Sequence, residues 1–361
     1  MPLVFDPALL YTHRDMRVFF LSGVTLFVIS AVALQGAAAQ VTVGFDEPHN
    51  PLILGVPGKP AALQIDLLHL KLEKNELDQS ATRRRVQASD AHGWVFSAFV
   101  YPLDKAQTAE ELSNDALVGL RKAAADNGFK IEAMRTSAQG NFLLREYTIP
   151  DFRGQPVHQK NVFGYATSGE MGFDFHISKI SYSAADDRFF DSLISGLHVM
   201  QEYKPDSVTE FGYGSIYYLR QDWAKACAHY ENSLQLERQK RALNPIQWNV
   251  LVDNLGMAYA MSGDISKAKA TFAYGMQEKP TYPMFRYNLA CADSELGDLD
   301  GALEQLRLAF QYKSYSNPGE GIPDPAKDDS FKNYLSNPRF AKLAKELCPS
   351  SKRTEAGWLC Q

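Results

Sequence analysis

The chain has 361 residues, of which 45% are hydrophobic and 22% are charged, and its formal net charge at pH 7 is −5. This length and apolar content suffice for two domains with ordinary buried cores. A mildly acidic chain lacks the general basic excess of nucleic-acid-binding proteins, so we expect no nucleic-acid partner.

The first 39 residues have the layout of a secretory signal. Arg17 precedes a nearly unbroken apolar stretch, residues 18–34, and three alanines follow Gly36. A positive start, an apolar middle and small residues before a cut are the three parts of such a signal. We therefore predict cleavage near Ala39 and a periplasmic or secreted protein.

Two alternatives to this interpretation stay open. Met16 is a more ordinary start than Met1, which would make residues 1–15 a mis-assigned beginning. The apolar stretch is also just long enough to remain as an uncleaved anchor. A membrane is predicted as a partner only in that second case.

Residues 40–60 are rich in proline and glycine, which predicts a linker. Within it, residues 55–60 superficially resemble a phosphate-binding loop. The spacing is too short, and Pro60 stands where the Ser or Thr that holds magnesium is required. We expect no nucleotide site, no metal and no cofactor.

Alternating apolar residues from Ala61 onwards predict strands near residues 63–67 and 86–99, with a hairpin turn at residues 90–93. Thr108 and Glu111 form a capping box that begins an amphipathic helix, and a glycine ends that helix. Further elements are predicted as strands at 129–134, 142–149, 159–167 and 172–180, a helix at 184–196 and a strand at 197–200.

A basic run, residues 83–85, interrupts the acidic composition. It lies in a strand-like stretch, where side chains alternate between the two faces. We favour a solvated sheet edge for these three arginines, with a site for a phosphate or another anion as the alternative.

Strand pairs, a helix, four strands and a second helix define an α+β sandwich with an antiparallel sheet over residues 61–202. This order, with residues 146–148 (Glu-Tyr-Thr) and 161–163 (Asn-Val-Phe) before a closing helix, resembles the PsbP-like fold. The resemblance is one of architecture, without a diagnostic motif, and it implies no activity.

Two histidines, His158 and His176, lie on neighbouring predicted strands of this domain. Asp174 shares a face with His176 because side chains two residues apart point the same way. If both histidines faced Asp174 or Glu146, they would form an acid–base or metal site. We favour a solvated polar sheet face as the explanation of the same residues.

An internal repeat of 34 residues follows, and its three units span residues 207–240, 249–282 and 283–316. Small residues recur at positions 8 and 20, where they let two antiparallel helices approach closely. Position 8 holds Gly214, Gly256 and Ala290, and position 20 holds Ala226, Ala268 and Ala302. Such periodicity is typical of stacked helical repeats.

The spacing resembles that of the tetratricopeptide repeat (TPR) family, which implies an all-α array that presents a protein-binding surface. The sequence departs from the family pattern in two units. Eight extra residues, 241–248, follow the first unit, and we expect them to lengthen its second helix. The third unit has Asp293 where an aromatic residue is usual and Ser314 where proline is usual.

A cover for the last repeat is predicted over residues 317–347, because a helical array must shield its terminal apolar face. We expect two short helices there, one carrying Phe331 and Leu335, the other beginning at Asn337 and Pro338.

All four cysteines lie in the C-terminal half. Cys348 and Cys360 flank the tail, residues 348–361, and in an exported protein we predict that they form a disulfide. Cys227 and Cys291 fall inside predicted repeat helices, where small buried thiols are the favoured interpretation.

The TPR resemblance also implies a concave groove built from positions 2, 5, 9 and 12 of each first helix. Its predicted lining is apolar and aromatic with one carboxylate, and consists of Val208, Phe211, Ser215, Tyr218, Val250, Asp253, Met257, Ala260, Met284, Tyr287, Cys291 and Ser294. The lysines with which the family's chaperone-tail binders clamp a C-terminal carboxylate are absent. Either an extended or helical apolar peptide or the protein's own N-terminal domain is expected to fill the groove, with a small ligand as a third alternative.

These patterns predict an exported, non-enzymatic interaction module, a scaffold or adaptor for a protein or peptide partner in the cell envelope. The alternative is a small-ligand-binding or catalytic α+β domain, with the repeats as its docking arm.

Overall fold

The computed structural model describes residues 43–44, 51–78, 80–354 and 357–360. The predicted signal, residues 1–39, lies outside this range. The chain divides into two compact units, Met1–Lys204 and Pro205–Gln361. In the described part of the chain, no helix combines the length and the apolar character needed to cross a bilayer.

Eleven strands lie in the part of the first unit that the structure describes: β1 (Val43–Gly44), β2 (Leu52–Gly55), β3 (Ala62–Ile65), β4 (Lys71–Leu77), β5 (Arg84–Ser89), β6 (Trp94–Pro102), β7 (Glu132–Gln139), β8 (Phe142–Phe152), β9 (Gln155–Ser168), β10 (Met171–Lys179) and β11 (Leu197–Met200). Eight of them form an antiparallel sheet in the order β1-β4-β5-β6-β10-β9-β8-β7. The antiparallel sheet predicted from the alternating pattern is thereby confirmed.

The linker predicted over residues 40–60 is interrupted by β2. This strand pairs with β3, which in turn pairs with β11, in a three-stranded sheet. Leu54 is fully buried opposite Leu63. β2 has only four residues and lies among prolines and glycines, so the composition of this segment does not predict a strand. Pairing with β3 and burial stabilise it.

A helix covers each face of the eight-stranded sheet. Helix α1 (Ala109–Asn127) packs Leu112 and Leu120 against Tyr147 and Phe163 of β8 and β9. The predicted capping box is confirmed, since the Glu111 amide donates to the Thr108 hydroxyl at 3.1 Å. On the opposite face lies helix α2 (Asp187–Ser195), preceded by one 3-10 turn.

The second unit begins with six helices in three antiparallel pairs: α3 (Ser207–Leu219), α4 (Trp223–Gln239), α5 (Pro245–Met261), α6 (Ile265–Glu278), α7 (Pro283–Glu295) and α8 (Leu299–Gln311). The small positions lie where the helices cross. A Cβ on Gly214 would approach the Tyr230 ring to 2.4 Å, and one on Gly256 would approach the Phe272 ring to 2.3 Å. This packing confirms the stacked antiparallel helix pairs that the 34-residue repeat predicts.

The eight extra residues after the first unit do not lengthen α4, contrary to the prediction. Helix α4 ends at Gln239, and four of the extra residues extend α5 instead. The Asn244 side chain accepts from the amides of Ile246 and Gln247 at 3.0 and 2.9 Å, and Pro245 occupies the first helical position. This capping arrangement begins a helix here rather than ending one.

Of the two short helices predicted for the cover, the first is a 3-10 helix and the second an α-helix. Phe331 belongs to a 3-10 helix, Asp329–Tyr334, and α9 (Pro338–Leu347) follows. In the tail, β12 (Ser351–Thr354) and β13 (Gly357–Cys360) form a hairpin. The structure joins Cys348 and Cys360 in a disulfide, which ties this hairpin to the end of α9.

Candidate functional site

The predicted groove residues divide into an open and a closed part. Among them, the side chains on α3 and α5 are mostly half-buried and reach the surface: Phe211, Ser215, Tyr218, Val250, Asp253 and Met257, while Val208 is buried. On α7, Met284 and Tyr287 are buried and Cys291 is partly buried. The third repeat therefore presents little groove surface to a partner.

The protein's own chain closes the groove at the third repeat. We call residues 317–334 the covering segment. The Tyr287 hydroxyl donates to Asp328 Oδ2 at 2.9 Å, and the Tyr287 ring packs edge-on against Phe331. The Ser294 hydroxyl donates to the Ser330 carbonyl at 2.7 Å.

The start of the covering segment is held in the same way. Asn249 Nδ2 donates to Asn317 Oδ1 at 3.1 Å, and the Tyr282 hydroxyl donates to Glu320 Oε1 at 2.7 Å. The sequence predicts a loop and a helix here that shield the end of the array. Their position on the concave face could not be predicted, because a loop rich in proline and glycine carries no periodicity that shows where it packs.

Asp253 is the carboxylate at the floor of the open part. Its Oδ1 accepts from Asn288 Nδ2 at 2.6 Å. Burial raises the pKa of Asp253 to about 7, and the negative charge of Glu320 acts in the same direction. Burial also raises the pKa of the Tyr218 hydroxyl, with the Asp253 charge adding to it. The open groove thus combines apolar walls with one weakly acidic carboxyl.

A second candidate site is a cavity of about 360 Å³ in the first unit. It lies beside α1, over the part of the sheet face that belongs to β6, β9 and β10. Pro102 at the end of β6 and residues 103–105, which follow it, contribute to its wall. Asp174 and His176 both line it, as their common face predicted.

His176 does not lie on a solvated sheet face, so that prediction is wrong. Its side chain is 1% exposed, and its ring stacks on Phe163 with 4.2 Å between centroids. Nε2 donates to Asn161 Oδ1 at 3.0 Å, an oxygen that also accepts from Gln159. Helix α1 and the chain after β6 cover this face of the sheet, although its sequence pattern is polar.

The alternative site built on both histidines is not assembled either. His176 pairs across the strands with Phe163, whereas His158 lies five residues away along β9. At about 3.3 Å per residue, that separation is about 17 Å. His158 is exposed, and Glu146 forms ion pairs with Arg135 at 2.5 Å and Lys160 at 3.3 Å.

Asp174 is a titratable group of the cavity with a perturbed pKa. Burial raises its pKa to about 7, while a hydrogen bond from Tyr101 and the charge of Arg83 oppose the shift. The Arg83 guanidinium lies over the Tyr101 ring, 5.3 Å from its centroid. Of the basic run, Arg83 is exposed and lines the cavity. The predicted solvated sheet edge is wrong, because Arg84 is buried and β5 lies between β4 and β6.

The cysteine pair does not provide a metal centre. Among the described residues, Asp324, Cys348 and Cys360 are the acidic, thiol or imidazole groups close enough together to hold an ion. The two sulfurs are bonded to each other, and a disulfide sulfur is not the thiolate that binds metals.

Comparison with known sequences gives a partial match. No family model matches the chain. The photosystem I assembly protein Ycf3 of Synechococcus sp. (strain WH7803) is 28% identical over 108 residues, which is 27% of this chain and 60% of that protein. The chain thus spans less than two thirds of the length of the curated relative it matches.

Two solved structures are similar to part of this chain. The Sgt2 TPR domain from Aspergillus fumigatus is 20% identical, with 40% of this chain and 82% of that chain covered and a TM-score of 0.29. The Yersinia enterocolitica type III secretion chaperone SycD, in complex with a peptide of the translocator YopD, is 15% identical, with 38% and 89% covered and a TM-score of 0.28. The helical-repeat architecture is shown by the helix pairs of this chain itself.

Proposed function

We propose that this protein is an exported adaptor whose repeat array binds a peptide segment of another protein in the cell envelope. The observation that carries the proposal is the open groove on α3 and α5. Phe211, Tyr218 and Met257 are partly exposed there, while the covering segment closes the third repeat. Partly exposed aromatic side chains in a concave surface are typical of peptide-binding sites.

The lining restricts the kind of peptide that fits. Apolar and aromatic walls favour a segment with apolar side chains, in an extended or helical conformation. Asp253 lies at the floor and accepts hydrogen bonds, so a donor group on the peptide finds a partner there. The absence of a lysine clamp disfavours a free C-terminal carboxylate as the recognised group.

The proposed location is the periplasm or the extracellular space, after removal of residues 1–39. The proposal rests on the tripartite layout of the first 39 residues and is supported by the disulfide, since such bonds persist in oxidising compartments. An uncleaved anchor would place the same groove at the membrane surface. We propose a non-enzymatic role, and the name of the relative Ycf3 describes an assembly protein, a role of a similar kind.

Capture from an envelope extract tests the proposal. The full chain is immobilised, captured proteins are identified by mass spectrometry, and segments of the main partner are then measured as peptides by calorimetry. Phe211→Glu with Met257→Glu places two charges in the open groove, and we expect it to abolish peptide binding. Tyr287 is unsuitable for this purpose because it is buried against Asp328 and Phe331.

The matched control is Leu219→Glu with Met261→Glu. These residues lie on the same two helices, and each is 56% exposed. The control variant should bind like the unmodified chain. Equal binding by the groove variant, with an unchanged circular dichroism spectrum, would refute the groove as the peptide site.

A further inference from the structure

The cavity beside α1 is independent of the peptide groove, because it lies entirely within the first unit. Its volume of about 360 Å³ is in the range of small-molecule sites, about 300–1,000 Å³. The space is therefore large enough for a small organic molecule and not only for water.

Aromatic rings form much of the cavity wall. Phe99 and Tyr101 come from β6, and Phe163 and Tyr165 come from β9, on either side of β10. Leu103 and Leu112 add aliphatic surface. Phe163 and Tyr165 stack nearly parallel, 6.4 Å apart. Such a wall favours a flat or apolar ligand body, and ring faces also attract a positive charge.

The charged groups at the mouth nearly cancel. Arg83 and Lys105 oppose Asp104 and Asp115, and all four are exposed side chains that line the cavity. They give the entrance no net preference for either sign of charge. Any preference for a positively or negatively charged ligand must therefore come from the groups deeper inside, Asp174 and His176.

Those two inner groups differ in how they are engaged. His176 is committed through Nε2 to Asn161, and its ring is held by Phe163. Asp174 lies half-buried on the cavity wall, where burial raises its pKa despite a hydrogen bond from Tyr101 and the charge of Arg83. A ligand cation placed beside it would restore the favourable charge interaction that water no longer supplies.

We propose that this cavity binds a small organic amine, with the ammonium group at Asp174 and an aromatic or apolar body among the rings. An organic anion of the same shape would meet the Asp174 carboxylate and be disfavoured. A neutral analogue would keep the ring contacts but lose the charge interaction. The class of ligand is thus set by one carboxyl in an aromatic enclosure.

Calorimetry on the full chain with three isosteric probes tests this inference. The probes are 2-phenylethylamine, 2-phenylethanol and phenylacetate, which share a ring and differ in the charge of the end group. We expect saturable binding of the amine, at least about tenfold tighter than the alcohol, and none of phenylacetate. Phenylacetate binding as tightly as the amine, or no saturable binding by any probe, would overturn the proposal.

Asp174→Asn removes the charge and keeps the shape of the side chain. We expect it to lower the affinity for the amine about tenfold and to leave the affinity for the alcohol unchanged. Asp191→Asn is the control, because Asp191 is exposed on α2, on the other side of the sheet. Unchanged amine affinity in Asp174→Asn would overturn the proposal, and the three-probe comparison decides it if that variant fails to fold.

Proton release gives a separate readout. Because the amine favours the ionised form of Asp174, binding at pH 7 should release part of a proton, and Asp174→Asn should abolish the release. The other titratable or charged groups that line the cavity are Arg83, Tyr101, Asp104, Lys105, Asp115, Tyr165 and His176. Titrations in buffers with different ionisation enthalpies measure this release, and an unchanged release in the variant would contradict the assignment to Asp174.

Discussion

Replacement of Asp253 by Asn should make the repeat array less sensitive to rising pH. Burial raises the pKa of this carboxyl from 3.8 to about 7 in the folded protein. The folded chain therefore binds a proton that the unfolded chain releases over this interval. The stabilising contribution is complete below about pH 4 and is lost as the pH rises through about 7.

The magnitude follows from the size of the shift. Between pH 5 and pH 7, each pH unit changes the stability by about 1.4 kcal/mol for one linked proton, or about 3 kcal/mol in all. Asp253 keeps some contact with water, which screens the interaction, so we expect about half of this value. The Asn side chain still offers an oxygen to Asn288 but cannot ionise.

Urea unfolding curves at pH 5 and at pH 8, monitored by circular dichroism at a wavelength where helices dominate, measure this change in stability. Relative to the unmodified chain, Asp253→Asn should gain about 1–2 kcal/mol between the two pH values. Asp300→Asn, an exposed carboxylate of the same unit, is the control and should show no comparable gain. An identical pH dependence in Asp253→Asn and the unmodified chain would refute the burial argument.

Two further predictions concern packing and export. Gly256→Ala should destabilise the array by about 1–2 kcal/mol, because the new methyl group meets the Phe272 ring and the strain exceeds the gain in helix propensity. Thermal unfolding measures this loss of stability. Phe272→Leu in the same chain should recover part of it. A stabilised Gly256→Ala protein would contradict the close helix crossing. N-terminal sequencing of the protein from an envelope fraction should begin near Gln40, and an intact N-terminus would favour the anchor instead.

Features with a local cause could be predicted from the sequence. The repeat was found because small residues at positions 8 and 20 recur at a fixed spacing, and that spacing is a property of the chain itself. Thr108 with Glu111 and the turn at residues 90–93 are likewise short-range signals. Each depends on neighbours within a few residues, so the helix start and the hairpin follow without knowledge of the rest of the fold.

Features that depend on distant contacts were decided by the tertiary structure. The strand β2 forms because Leu54 lies opposite Leu63, which its own composition does not show. The covering segment closes the third repeat through bonds between residues about 40 positions apart, such as Tyr287 and Asp328.

The cavity in the first unit likewise has one feature that the sequence predicts and one that only the tertiary structure determines. Strand alternation placed Asp174 and His176 on one face, and the structure agrees. Alternation says which residues share a face but not whether another element covers it. Helix α1 and the chain after β6 enclose that face, and this enclosure turns a polar strand pattern into a cavity with a weakly acidic carboxyl.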